Sequence, residues 1–87
     1  MVLTPKQKQH LKAQAHKLKP IVMIGNNGLT ENVKKEINRG LEDHKLIKIK
    51  FHEKDREVRH ALFDEVCEQS GAEKIQLIGG IGIIYRA

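Results

Sequence analysis

Residues 21–30 read Ile-Val-Met-Ile-Gly-Asn-Asn-Gly-Leu-Thr, and the architecture of the chain follows from this stretch. Ile21–Ile24 is a short continuous apolar run, the pattern of a strand covered on both faces. Gly25-Asn26-Asn27-Gly28 comes next. Glycine reaches left-handed backbone angles without steric cost and has no side chain to block a close ligand, and asparagine tolerates the same angles. Thr30 then stands where a helix N-cap is expected. A helix starting at Glu31 aims its free N–H groups and positive dipole end back at the loop. That geometry suits an anion, most simply a phosphate, and no acidic residue precedes Glu31.

Working outward, the N-terminal side carries its own helix signals. Thr4 is an N-cap candidate and Pro5 suits the first helical position. Leu11, Ala15 and Leu18 form a narrow apolar stripe, with Lys8, Lys12 and His16 beside it at helical spacing. Pro20 is expected to end this helix. On the other side, a second helix over about Glu31–His44 has Val33, Ile37 and Leu41 as its core stripe. Gly40 sits one position off that stripe, suited to close packing, and Lys35 and Arg39 face solvent. Leu46–Phe51 alternates as a strand, with Ile47, Ile49 and Phe51 on one face and Lys48 and Lys50 on the other. Asp55 caps a third helix with Val58, Ala61, Leu62 and Val66 as core positions, and Gly71 follows its last turn. Ile75–Ile78 and Ile81–Tyr85 form a hairpin through Gly79-Gly80. The order α-β-α-β-α-β-β predicts a single α/β (α+β) domain over residues 1–87. Its four-stranded sheet is mixed, because helix-linked strands run parallel and hairpin strands antiparallel.

Charge is unevenly placed. Residues 1–50 hold eleven Lys/Arg against four Asp/Glu, and residues 51–87 hold five against seven, within a net charge of +5. The basic half contains the glycine loop, which favours nucleic acid over an anionic membrane surface. No apolar run approaches the roughly 20 residues of a membrane span. The lone Cys67 cannot form an internal disulfide, which fits a cytoplasmic setting. With Phe51, Phe63 and Tyr85 the only aromatic residues, the sheet lacks the aromatic platform that reads single-stranded bases. Contacts to phosphates and RNA shape are the expected mode.

Thr4, Lys6-Gln7, Leu11, Ala15-His16-x-Leu18-Lys19-Pro20, Gly25-x-x-Gly28-Leu29-Thr30 and Gly71…Gln76-x-Ile78-Gly79…Tyr85-Arg86 together resemble the CRM domain (chloroplast RNA splicing and ribosome maturation). Its stand-alone bacterial members are the YhbY-type proteins. Gly-x-x-Gly alone is a common pattern, whereas the ungapped string from Ala15 to Thr30 is specific. The resemblance implies an RNA-binding module with a fold similar to the C-terminal domain of bacterial translation initiation factor three. It also implies association with precursors of the large ribosomal subunit, and so with ribosomal RNA.

In this reading the backbone amides of Asn26, Asn27, Gly28 and the first helical residues receive a phosphate, with Gly25 opening the approach. Lys8, Lys12, Lys19 and His16 bind neighbouring phosphates, because only a short strand separates the first helix from the loop. Each assignment has a plain structural alternative: a tight turn for the glycines, solvated surface for Lys8 and Lys12, and a packed or capping role for His16. Tyr85 is either a lone stacker or a core or hairpin residue. Enzyme chemistry has little support. His10, His16, His44, His52 and His60 are scattered over separate elements. Glu57 and His60 lack the second copy that a carboxylate metal site needs, and Cys67 lies beside a core stripe. The loop lacks both the Lys-Ser/Thr ending of a nucleotide-hydrolysing loop and the third glycine of a dinucleotide fingerprint. No cofactor, metal or small-molecule substrate is expected. A small nucleotide held by the same loop and a ribosome-associated protein adaptor stay as the alternative classes.

Overall fold

In the computed structural model, which describes residues 3–87, the elements are α1 (Pro5–Ala15), β1 (Val22–Ile24), α2 (Glu31–His44), β2 (Leu46–Phe51), α3 (Arg56–Ser70), β3 (Glu73–Ile78) and β4 (Ile81–Tyr85). This is the expected order and class. The sheet runs β1-β2-β4-β3, with β1 parallel to β2 and β4 antiparallel to both β2 and β3. β3 therefore points the same way as β2, as a helix-linked strand should, with β4 inserted between them.

Alternation along the strands divides the core in two. Val22, Ile24, Ile47, Ile49, Phe51 and Ile84 pack against α2 and α3 through Ile37, Leu41, Phe63, Val66 and Cys67. Burying each of the larger aliphatic side chains stabilises the fold by about 1.5–3 kcal/mol. On the opposite face Leu46, Ile75 and Ile83 meet Leu3 and the Leu11 and Ala15 side chains of α1. Two glycines set close approaches. A Cβ at Gly40 would lie 2.8 Å from Ile21 Cδ1, so α2 can settle on the β1–β2 pair. A Cβ at Gly82 would lie 2.8 Å from both Phe51 Cε2 and Phe63 Cε1. Those two rings meet edge to face, with centroids 6.2 Å apart and planes at 82°.

Four local expectations are corrected. α1 stops at Ala15, well before Pro20. The chain then tightens: Lys17 N–H donates to Gln14 O at 3.3 Å and Leu18 N–H to Ala15 O at 3.0 Å, an i→i+3 pattern. Leu18 leaves the stripe and is exposed, so only Leu11 and Ala15 of α1 meet the sheet. β1 is not covered on both faces. It is an edge strand, and α1 crosses the second face at its Leu46–Ile83–Ile75 end, leaving Met23 outside. In α3, Val58 and Ala61 are exposed and Phe63, Val66 and Cys67 are buried. The inward stripe starts at Arg59 and ends at Ser70, both polar, so the apolar pattern alone is out of phase. Lastly, β3 begins at Glu73, and an irregularity between Lys74 and Gln76 brings Ile75 to the α1 side.

Candidate nucleic-acid interface

The Gly25–Gly28 loop is a β-turn closed by Gly28 N–H donating to Gly25 O at 3.1 Å. Gly28 has φ +68°, the left-handed conformation for which glycine is suited. Gly25 is different. It is outside that region, and a Cβ placed on it would meet nothing within 4 Å. The expectation that both glycines serve unusual backbone angles therefore holds for Gly28 alone. The Gly28 amide is also spent within the turn, which removes it from the expected phosphate donors.

Thr30 caps α2. Its Oγ1 accepts from Val33 N–H at 3.2 Å, and its own N–H donates to Gly28 O at 3.1 Å. The N–H groups of Asn26 and Asn27 in the loop, and of Glu31 and Asn32 in the first turn, have no acceptor among the described residues. Four donors thus open toward solvent where the helix dipole is positive. Glu31 brings an exposed carboxylate to the same turn, paired at 3.5 Å with Lys34 Nζ.

The topology adds residues that the sequence reading missed. Because β1 and β2 are parallel, their C-terminal ends share one rim of the sheet. His52 N–H donates to Ile24 O at 2.9 Å, and Phe51 N–H to Gly80 O at 2.7 Å, so residues 52–55 and the Gly79-Gly80 turn flank the loop. Lys50 stands opposite Met23 in the β1–β2 register. Arg59 Nη1 donates to Glu53 O and Lys54 O at 3.2 and 3.1 Å, fastening that segment to α3. Lys50 and His52 are therefore basic residues at the loop's rim of the sheet, with Lys54 two residues farther along the chain. The available signal was the parallel β-α-β unit, which gathers the C-terminal ends of its strands.

The basic residues of α1 do not flank the loop. Lys8 lines a recess with Asp64, Cys67, Glu68, Glu73 and Lys74 at the β3 edge. The loop follows β1, the opposite edge, about 14 Å away across three strand spacings. Lys19 lies with His44, Leu46 and Ile47, where β2 begins, at the other end of β1 from the loop. Lys12 is half-buried, and His16 is the exposed C-cap of α1, which excludes the packed role for it. Any ligand that touches both the loop and α1 has to span the sheet. Tyr85 is half-buried against the α1 core. Cys67 is buried, and burial pushes its thiol up to about 11, which disfavours the thiolate at neutral pH. Among the described residues, no three His, Cys, Asp or Glu side chains gather as a metal site, and no helix is long and apolar enough to cross a membrane.

The profile of the CRS1/YhbY (CRM) domain matches residues 3–86. The chain belongs to the CRM domain family. A relative from Pseudomonas aeruginosa, named "Probable RNA-binding protein", is 45% identical over 99% of this chain and 83% of its own length. A Haemophilus influenzae relative, named "RNA-binding protein", is 45% identical over 97% of this chain and 85% of its own. Among solved structures, that of a candidate RNA-binding protein from Staphylococcus aureus superposes with a TM-score of 0.87 at 36% identity. It covers 99% of this chain and 90% of that one.

Proposed function

We propose that this CRM domain binds RNA through the Gly25–Gly28 turn, and that its target is structured ribosomal RNA in precursors of the large subunit. The observation that carries the reading is the turn itself. The N–H groups of the exposed residues Asn26, Asn27, Glu31 and Asn32, in the turn and the first turn of α2, have no acceptor among the described residues, and a Cβ at Gly25 would meet open space. An RNA backbone approaching there gives that glycine a reason. Family membership and the names of the relatives support RNA as the ligand class. The helix-end field contributes only about 0.3–1 kcal/mol for an exposed anion, so the affinity needs additional cations. Lys50, His52 and Lys54 serve at the rim, and Lys8, Lys12, His16 and Lys19 serve phosphates farther along the duplex. No catalysis is part of this reading, and the protein works in the cytoplasm on assembling particles.

The test is a titration of structured ribosomal RNA against wild type and the double variant Gly25→Asp, Asn27→Asp, with folding checked by circular dichroism. The loop assignment predicts at least tenfold weaker binding by the folded variant, since two carboxylates replace an anion's approach. Equal binding by the two proteins refutes it. Free ATP should leave the wild-type titration unchanged, and competition by ATP would favour a nucleotide site instead.

A further inference from the structure

The sheet face opposite α2 and α3 is only half covered. Its last row before the glycine loop takes one residue from each strand. Met23 is registered with Lys50, Lys50 with Ile81, and Ile81 with Ile78. Directly paired residues point to the same face. α1 packs over the rows behind, at Leu46, Ile83 and Ile75, and does not reach this one. Met23 is 56% exposed and Ile78 61% exposed, the two most exposed large apolar side chains among the described residues. Lys50 is exposed between them, and Lys48, half-buried, stands one row behind.

Single exposed apolar residues need no explanation, but two on one row of a sheet, flanking the exposed Lys50 and the half-buried Ile81 beside a candidate site, do. The charge of the row points to its occupant. The ionisable members of this row and the next are Lys48 and Lys50, since Ile83 and Gln76 complete the second row. The row also continues into the loop rim: Met23 lies two residues before Gly25, and His52 is hydrogen-bonded to Ile24 O at 2.9 Å.

We propose that the row Met23–Lys50–Ile81–Ile78 is a second RNA contact surface that takes unpaired nucleotides next to a helix held by the glycine loop. The aliphatic side chains cover base and ribose faces, and Lys48 and Lys50 meet the intervening phosphates. Aliphatic cover does not discriminate between bases, so this surface distinguishes unpaired from paired RNA rather than one sequence from another. The inference rests on the reading of the chain as an RNA-binding protein, and adds the class of RNA: a duplex with a single-stranded flank.

The probes are a blunt RNA hairpin and the same hairpin carrying a five-nucleotide single-stranded extension. They are titrated against wild type, Met23→Thr with Ile78→Thr, Lys50→Gln, and the loop double variant. Wild type should bind the extended hairpin about five- to tenfold more tightly than the blunt one. Met23→Thr with Ile78→Thr should lose that preference and keep blunt-hairpin affinity, whereas Lys50→Gln, at a residue shared with the loop rim, should lose the preference and also weaken on the blunt hairpin. The loop variant should weaken on both RNAs. Row variants that keep the preference overturn this inference and leave the loop reading intact. Failure of wild type to bind either RNA removes the underlying reading. As a direct readout, the Met23 and Ile78 methyl resonances should shift with the extended RNA and not with the blunt one. Wild-type self-association that Met23→Thr with Ile78→Thr abolishes, with the RNA preference unchanged, would assign the row to a second copy and also overturn the inference.

Discussion

A Cβ at Gly28 would stand on a backbone with φ +68°, whereas one at Gly25 would meet open space. The two glycines of one turn therefore separate folding from binding. Gly28→Ala should cost about 1–2 kcal/mol of stability through left-handed strain, read as a lower urea midpoint. Gly25→Ala should leave that midpoint unchanged or slightly raised, because it narrows the unfolded ensemble, and should still weaken RNA binding. Equal loss of stability in both variants would contradict this division. Cys67 offers a second residue-level check. Its thiol is held protonated by burial, with a pKa of about 11 against an ordinary 9.0. Native protein should therefore react with iodoacetamide at pH 8 far more slowly than protein in urea. The folded state binds this proton more tightly than the unfolded state, so its contribution to stability is complete below pH 9 and declines as pH rises toward 11.

At the level of elements, the hardest packing constraint lies where β4 passes the aromatic pair. A methyl at Gly82 would press on the ring atoms of both Phe51 and Phe63 at 2.8 Å, and both rings are buried in the core. Gly82→Ala should destabilise by about 1–3 kcal/mol, as overpacked cores do, measured by urea unfolding. The C-terminal end of β4 is held differently. Arg86 Nη1 donates to Asn38 Oδ1 at 2.9 Å and Ser70 O at 2.7 Å, and Arg86 N–H donates to Lys45 O at 2.9 Å. One guanidinium thus ties α2 and the end of α3 to the last strand. Arg86→Ala keeps the backbone bond and loses the side-chain ones, an expected cost of about 1–2 kcal/mol. The midpoint of thermal unfolding measures it, and an unchanged midpoint would show that this latch is dispensable.

Over the whole molecule, charge and topology act together. If RNA spans the sheet and four to six phosphates are neutralised, the log–log salt slope should be about −3 to −5, between the single-strand and duplex limits. Lys12→Gln should make that slope shallower by about one. Lys8→Gln should change it less, because Asp64, Glu68 and Glu73 share the recess of Lys8. Equal slope changes for both lysines would argue against this distribution. The fold that creates these positions was legible because its signals are local. Thr4, Thr30 and Asp55 each accept N–H groups as helix caps, and Gly71 takes φ +70° after α3. The errors came where local pattern and tertiary cover disagree. Ile21–Ile24 reads as a buried strand, but its cover depends on how far α1 reaches. The α3 stripe is bounded by Arg59 and Ser70, which donate hydrogen bonds to backbone carbonyls at the interface, although the buried Arg59 Nε is left without a partner among the described residues.

By itself, the sequence determined the order of elements, their caps and turns, the strand-turn-helix unit at residues 21–30, and the basic bias of the first half. These depend on neighbours within a few residues, where propensity and hydrogen bonding act. Only the tertiary structure decided which charges stand beside the glycine turn. Parallel pairing of β1 with β2 brought Lys50 and His52 to the turn across a long sequence gap, and the strand order sent Lys8 to the far edge. A row such as Met23–Lys50–Ile81–Ile78 exists only once strand register is fixed. Register is set by the packing of two sheet faces at once, which no single stretch of chain encodes.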